Sequence, residues 1–387
     1  MLKIGRKKML LMLLTCCIGI YSHSLLASET LYPGEQLLTI NGYQTLIKFV
    51  KGDAQKPLII FIPGDSHLAR ISYGHPTGNP KDFLSYWVHQ KGYSFLALSY
   101  PTDNPVFSKI HPEFSIHDWG QQIAATAKKI IQENHLSHHI VVMGWSMGGA
   151  VEVTVNEAAK QQSLNLDVFI GLSAVPPLPQ VMQSGPFDTK TMLPNKLADR
   201  KPLFNWFIKS LQEQNRYNQH DVIPKEIYLT QFLGNIPTAI AAEGYHYKDG
   251  KFSYSIENTL QDGGVFNFAN TPWIALIRSD SPSDAKISMI DPASWNFIRA
   301  EMIYKNYLSQ ANLSTLPEKN WTRLTKTIND LPNNLTLTVH GNHFFFVGEK
   351  GAQTTADEIH TLIARVENTK AILDSLTHPE KSIRRKS

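Results

Sequence analysis

Short apolar runs alternate with helical patterns along the chain from residue 36 onwards. Runs such as LIIFI, FLALSY, IVVM and DVFIGL are apolar throughout, which is typical of strands buried on both faces of a sheet. The runs that we interpret as strands cover residues 36–39, 45–50, 57–62, 94–99, 140–143, 167–171, 273–278 and 335–340. The helical patterns between them cover residues 80–90, 116–133, 147–160 and 355–371.

This alternation predicts an α/β fold, in which a mostly parallel, doubly wound sheet is covered by helices on both faces. In such a sheet the functional groups are expected at the carboxyl ends of the strands.

Two stretches interrupt the alternation. Residues 175–271 hold no convincing central strand, and this is far longer than an ordinary connection, so they predict an inserted, largely helical cap. A second insertion covers residues 279–334. Within the two insertions, helical patterns cover residues 201–214, 224–242 and 294–308. The predicted organisation is therefore a core of residues 28–174 and 272–375, a cap of residues 175–271, and a basic tail of residues 376–387.

The first 27 residues have the pattern of a secretory signal. Basic residues up to Lys8 precede an apolar run over residues 9–20, and small residues follow up to Ala27. The apolar run is shorter than the roughly 20 residues that a membrane span needs. We therefore expect cleavage after Ala27, export to the periplasm or the medium, and no stable membrane anchor after processing. A lipoprotein modified at Cys16 is the less favoured alternative.

Composition narrows the function classes further. The chain has 387 residues, of which 42% are hydrophobic and 18% charged, as in ordinary globular proteins. Lys and Arg number 37 against 33 acidic residues, and the excess of four lies entirely within residues 1–27, so the remainder gives no electrostatic reason to expect nucleic acid as a partner. Both cysteines, Cys16 and Cys17, lie in the signal, and the histidines show no metal-ligand spacing, so no metal site is expected.

The most informative motif is G-x-S-x-G at Gly144, Ser146 and Gly148, which directly follows an apolar strand and precedes a helical pattern. A serine in such a turn is held in a strained conformation that exposes its Oγ, and side chains two residues to either side would collide with the chain. This strand–turn–helix order resembles the α/β-hydrolase superfamily. The resemblance implies a sheet of that type, a nucleophilic serine, an acid and a histidine in that chain order, and an oxyanion hole of two backbone N–H groups.

For the base, the residues Gly341-Asn342-His343-Phe344 are similar to the Gly-x-His-aromatic loop that follows the last strand in that superfamily. We favour His343 over His340, which lies at the strand end.

For the acid, two aspartates follow the predicted strand 273–278. The resemblance favours Asp284, because Ile287 follows it at the spacing of an anchoring aliphatic residue. Asp280 lies nearer the strand end and remains open, since Asp284 can also be interpreted as a residue of a helix start. Asp291 is a more distant candidate.

The resemblance places the oxyanion donors at Met147 and in the loop Pro63-Gly64-Asp65-Ser66, where Pro63 stands in place of the usual histidine. We assign the second donor to Asp65, with Ser66 as the alternative. A carboxylate beside an oxyanion would be unfavourable unless it is paired or points away.

The sequence therefore predicts an exported serine hydrolase that cleaves an acyl bond of a small-molecule substrate, preferably a carboxylic ester, through a Ser-His-Asp triad and without a cofactor. The alternatives are a thioesterase or small-peptide hydrolase with the same triad, and a non-catalytic binding protein on this scaffold. The predicted cap is rich in aromatic residues, which we interpret as the cap's own core in preference to an acyl pocket. These residues are Phe204, Trp206, Phe207, Tyr217, Tyr228 and Phe232.

Overall fold

The computed structural model describes residues 31–178 and 192–377. The predicted signal with Ala27, Cys16 and Cys17 lies outside the described residues, as does all but the first two residues of the predicted basic tail.

An eight-stranded sheet forms the centre of the molecule, in the order β1-β2-β4-β3-β5-β6-β9-β10. β2 pairs antiparallel with β1 and with β4, and the other neighbours are parallel, so the predicted mostly parallel sheet is confirmed. The strands are β1 (Glu35–Ile40), β2 (Tyr43–Val50), β3 (Leu58–Ile62), β4 (Phe95–Ser99), β5 (His139–Trp145), β6 (Asn165–Leu172), β9 (Ile274–Ser279) and β10 (Thr336–Val339). A separate antiparallel pair, β7 (Tyr245–Lys248) and β8 (Lys251–Tyr254), lies in the insertion between β6 and β9.

Helices cover both faces of this sheet, as predicted. Successive residues of β3 alternate between the two cores: Ile59 and Phe61 pack on one side, and Ile60 and Ile62 on the other. The helices are α1 (Leu84–Gln90), α2 (Ile116–Asn134), α3 (Glu152–Gln161), α4 (Lys201–Asn218), α5 (Lys225–Gln231), α6 (Ile256–Asp262), α7 (Asp291–Ile303), α8 (Glu318–Asn334) and α9 (Glu349–Thr377). α1 and α9 pack on the first side, and α2 and α3 on the second.

One predicted helix is wrong over much of its length. The pattern over residues 224–242 gives only α5, which ends at Gln231, and a short 3-10 turn at Ala239–Ala241. Between them the backbone extends, and Leu233 and Ile236 form isolated bridges to His67 and Ala198. Gly234 and Pro237 interrupt the helix here, and the bridges supply the extended backbone with partners.

Two other helix starts differ from the predictions. Residues 80–90 form a 3-10 turn at Pro80–Asp82 and then α1, separated by the extended backbone of Phe83. The predicted helix 147–160 begins as a 3-10 helix, Ser146–Val151, before α3. Among the described helices, none is long and apolar enough to cross a membrane.

Candidate active site

Ser146 lies in a sharp turn between β5 and the 3-10 helix that leads into α3. Its φ is +53°, a left-handed conformation that costs energy in a residue other than glycine. The two glycines of the motif make the turn possible. A Cβ on Gly144 would lie 2.5 Å from the carbonyl oxygen of Gly148, and a Cβ on Gly148 would lie 3.1 Å from the carbonyl oxygen of Ile62.

His343 lies in the loop after β10 and is 2% exposed. Its Nδ1 is 3.0 Å from Oδ1 of Asp284, which is also buried. Its carbonyl oxygen accepts a hydrogen bond of 3.0 Å from Nε1 of Trp145, the residue directly before Ser146. The histidine loop is thus attached to the strand that carries the serine.

Asp284 has a partner for each carboxylate oxygen. Oδ1 faces His343, and Oδ2 accepts hydrogen bonds from the hydroxyls of Ser173 (2.9 Å) and Ser279 (2.8 Å). Burial alone would raise the pKa of Asp284, but the charge and hydrogen bond of His343 and the two hydroxyls outweigh burial and hold the pKa below its ordinary value. Asp284 is therefore a carboxylate at neutral pH.

Asp280 and His340, the less favoured candidates for the acid and the base, pair with each other. Oδ2 of Asp280 is 2.9 Å from Nδ1 of His340, and Oδ1 accepts the backbone N–H of Gly341 at 3.0 Å, with both side chains exposed. Asp291 is buried at the start of α7, with Lys286 Nζ at 3.7 Å, and burial raises its pKa to about 6. The structure thus brings Asp284, and neither of the other two, into hydrogen-bonding contact with His343.

The loop after β3 approaches the serine closely. A Cβ on Gly64 would lie 2.7 Å from Cβ of Ser146, so only glycine fits there. The hydroxyl of the buried Tyr100 donates a 2.6 Å hydrogen bond to the carbonyl of Gly64. Because the peptide is trans, the N–H of Asp65 points away from Tyr100. The N–H of Asp65 has no acceptor among the residues that the structure describes. The N–H of Met147 lies in the first turn of its helix, where donors lack intrahelical partners.

The side chain of Asp65 is paired, as its position beside an oxyanion would require. Its Oδ2 is 3.1 Å from Nη2 of Arg200, just before α4, and its Oδ1 accepts the hydroxyl of Ser66 at 2.8 Å. The same guanidinium nitrogen lies 3.5 Å from Glu243. The negative charge of Asp65 is therefore balanced by a cation from the insertion.

His67 is a residue of this site that the sequence analysis missed. It is fully buried, with Nδ1 2.6 Å from the carbonyl of Asp65 and Nε2 2.7 Å from the hydroxyl of Tyr228. Burial lowers the pKa of His67 to about 3, so the ring is neutral: Nδ1–H donates to Asp65 and Tyr228 donates to Nε2. The only sequence feature that could have indicated this role is the position of His67 in the loop after β3. A single histidine at such a position matches no motif.

The aromatic residues of the insertion divide between the hydrophobic core and the site. Phe207, Tyr228 and Phe232 are buried, but in the same hydrophobic cluster as Phe61 and Phe95 of the central sheet and not in a separate core of the cap. Trp206 is 37% exposed, and its ring centroid lies 5.2 Å from that of His343. Tyr217 packs on the exposed His340. Trp206 alone of the predicted set contacts the imidazole, among the ring contacts that the structure describes.

No family profile and no curated protein sequence matches this chain. Similar solved structures share little sequence with it. An esterase from Thermogutta terrifontis covers 86% of this chain and 98% of its own at 11% identity, with a TM-score of 0.47. The epoxide hydrolase CorEH covers 85% of this chain and 98% of its own at 11% identity, with a TM-score of 0.45. A variant of AqdC, a protein that recognises the Pseudomonas quinolone signal and cleaves its ring, covers 85% of this chain and 99% of its own. It is 12% identical, with a TM-score of 0.46.

The strand order and the serine turn of this chain are those of the α/β-hydrolase fold. A fold of this kind hosts many reactions, so the chemistry has to come from the residues of the site. No group of three or more His, Cys, Asp and Glu side chains that could hold a metal occurs in the described part of the chain.

Proposed function

We propose that this chain, which has the α/β-hydrolase fold, is a serine hydrolase that cleaves an acyl bond, preferably a carboxylic ester. The observation that carries the proposal is the buried contact of 3.0 Å between Asp284 and His343, in a loop joined to the residue before Ser146. A hydrogen bond from Nδ1–H to the carboxylate fixes the tautomer and leaves the lone pair on Nε2.

In the proposed reaction, Oγ of Ser146 attacks the carbonyl carbon and His343 Nε2 takes the serine proton. Asp284 stabilises the imidazolium that forms. The N–H groups of Met147 and Asp65 donate to the oxyanion of the tetrahedral intermediate. His343 then returns the proton to the leaving alcohol oxygen as the C–O bond breaks, and an acyl-enzyme remains. Water hydrolyses it by the same two proton transfers and regenerates Ser146.

An ester is preferred over an amide because the ester carbonyl is more electrophilic and an alcohol oxygen is a better leaving group than an amide nitrogen. The region around the proposed base is partly apolar, since the ring of Trp206, which is 37% exposed, lies beside His343. This favours an acyl or alcohol group with apolar surface next to the scissile bond.

The first test is labelling with a fluorophosphonate probe, which reacts with an activated serine. We expect the wild type to be labelled and Ser146→Ala to be unlabelled, with a loss of ester turnover on the order of 10⁴-fold or more. Ser163→Ala is a matched control, because Ser163 is an exposed serine with a similar left-handed φ of +55°. Turnover that survives in Ser146→Ala would overturn the proposal, and an unlabelled wild type would favour a binding protein.

The leaving group is tested with a panel of p-nitrophenyl esters of graded acyl length, together with an acyl thioester and an aminoacyl anilide. We expect the highest kcat/KM among the esters. A higher value for the thioester or the anilide would move the proposal to the thioesterase or the peptide hydrolase.

Export is part of the proposal and rests on the pattern of residues 1–27. Mass spectrometry of exported protein is expected to find Ser28 as the first residue. An uncleaved N-terminus, or lipid on Cys16, would contradict this.

A further inference from the structure

The residue before the proposed base, Asn342, uses the full hydrogen-bonding capacity of its side-chain amide. Its Nδ2 donates to the carbonyl of Ser210 and to Oε2 of Glu213, each at 2.8 Å. Its Oδ1 accepts the backbone N–H of Phe344 at 2.9 Å and Nε2 of Gln214 at 3.0 Å. The backbone donor fixes which end of the amide is the oxygen. Asn342 is 3% exposed, and its bonds to Ser210, Gln214 and Phe344 are buried and so protected from competition by water.

Three of these partners belong to helix α4, which lies between β6 and β9 in the chain and is far from the histidine loop in sequence. The same helix brings Trp206 against the imidazole of His343. Its inner face is fixed, because Phe207 and Leu211 are buried in the core. The loop of His343 is therefore attached to a helix whose inner face is packed into the core.

The backbone of the loop needs such an attachment. Gly341 has a φ of +136°, in the region that favours glycine, and glycine leaves the chain free to rotate at the residue before Asn342. α4 also packs closely here, since a Cβ on Gly341 would lie 2.9 Å from Nε2 of Gln214. Without the amide of Asn342, the loop would still be held by Asp280 at the N–H of Gly341, by Trp145 at the carbonyl of His343 and by Asp284 at its ring.

We propose that Asn342 is a positioning residue that fixes His343 by anchoring its loop to the turn of helix α4 that holds Ser210, Glu213 and Gln214. This rests on the proposed function, in which His343 is the base. A misplacement of about 1 Å in a catalytic group costs on the order of 10²-fold in rate.

The test compares three purified variants. Asn342→Ala removes all four hydrogen bonds, and Asn342→Asp keeps the acceptor but sets a carboxylate against the carbonyl of Ser210 and the carboxylate of Glu213. Asn215→Ala is the matched control, because Asn215 lies on the same helix and, among the described residues, its amide bonds to Asp221 and Val222 within the insertion. Thermal unfolding establishes that each variant is folded, and kcat and KM are measured with the best ester.

We expect both Asn342 variants to lose roughly 10²-fold in kcat with KM within about twofold, and Asn215→Ala to keep its kcat. A folded Asn342→Ala with wild-type kcat would overturn the proposal, as would an equal loss in Asn215→Ala. If Asn342→Ala does not fold, Glu213→Ala decides, since Glu213 is exposed and supplies one bond. A lower kcat at unchanged KM supports the proposal, and an unchanged kcat overturns it.

The two proposals fail differently. If Ser146→Ala still turns over the ester, the proposed function fails. If Ser146→Ala is inactive and unlabelled while the Asn342 variants keep their kcat, only the positioning role fails.

Discussion

Asp284 Oδ1 lies 3.0 Å from Nδ1 of His343, while Asp280, four residues earlier, is bonded to His340 on the surface. Two Asp–His pairs therefore stand side by side in the same two loops, one buried and one exposed. The same substitution, Asp to Asn, can therefore be made in the buried pair and in the exposed pair, and the two effects compared.

We expect Asp284→Asn to lower kcat on the order of 10⁴-fold, because an amide no longer fixes the tautomer or stabilises the imidazolium. Asp280→Asn removes a similar hydrogen bond at the surface and should leave kcat within about twofold, since exposed ion pairs contribute little. Ester kinetics with both folded variants checks this. A reversed order of effects would assign the acid to Asp280.

The pairing of Arg200 with Asp65 gives a second prediction. Arg200→Met leaves two carboxylates, Asp65 and Glu243, without their buried cation. We expect a loss of about 3–5 kcal/mol in the free energy of unfolding and a lower kcat, because an unpaired carboxylate beside the oxyanion opposes its charge.

Asp65→Asn keeps the backbone N–H that is the proposed donor, so its kcat should fall less than that of Arg200→Met. The double variant should recover part of the kcat lost in Arg200→Met. Denaturant unfolding and ester kinetics measure both effects. If the double variant recovers no kcat, the charge of Asp65 is not the cause of the lower kcat of Arg200→Met.

Trp206 is expected to influence acyl specificity, because its exposed ring lies beside His343. Trp206→Ala should lower kcat/KM for long acyl chains on the order of 10-fold more than for acetate, since it removes apolar contact area. Trp321→Ala is the control: this tryptophan is 48% exposed on α8. Equal losses for short and long esters would contradict the prediction.

Glu152, at the start of α3, is fully buried, and neither carboxyl oxygen has a hydrogen-bond partner among the described residues. Burial raises the pKa of Glu152 well above its ordinary value of 4.5. The folded state thus holds a proton that the unfolded chain releases as the pH rises above 4.5. The contribution of Glu152 to the free energy of unfolding should therefore fall with rising pH, by up to about 1.4 kcal/mol per pH unit.

Glu152→Gln removes this titration, so we expect its melting temperature to exceed that of the wild type by more at pH 8 than at pH 5. Glu133→Gln, at an exposed position of α2, is the control. Melting curves at both pH values test this, and parallel shifts in the wild type and Glu152→Gln would refute it.

The sequence predicted those features that depend on local pattern. The run LIIFI became β3, buried on both faces, and the strand–turn–helix order around Ser146 was visible in its residues. The preference for Asp284 over Asp280 rested on the resemblance and not on local pattern, because both aspartates follow β9. A 3-10 turn, Pro282–Asp284, separates them in the structure. His67 and Asn342 were missed because their contacts join segments more than 100 residues apart, which no local pattern reports.

The histidine loop follows β10, which lies at the edge of the sheet and is its last strand in sequence. Trp145 and His343, which hold the serine turn and the histidine loop together, are 198 residues apart. At about 5–20 residues per second, a ribosome makes the proposed nucleophile roughly 10 to 40 seconds before the proposed base. Under the proposed mechanism, the nascent chain carries a serine without its base throughout that time, so the order of synthesis keeps the proposed hydrolase inert until the loop after the final strand has been added.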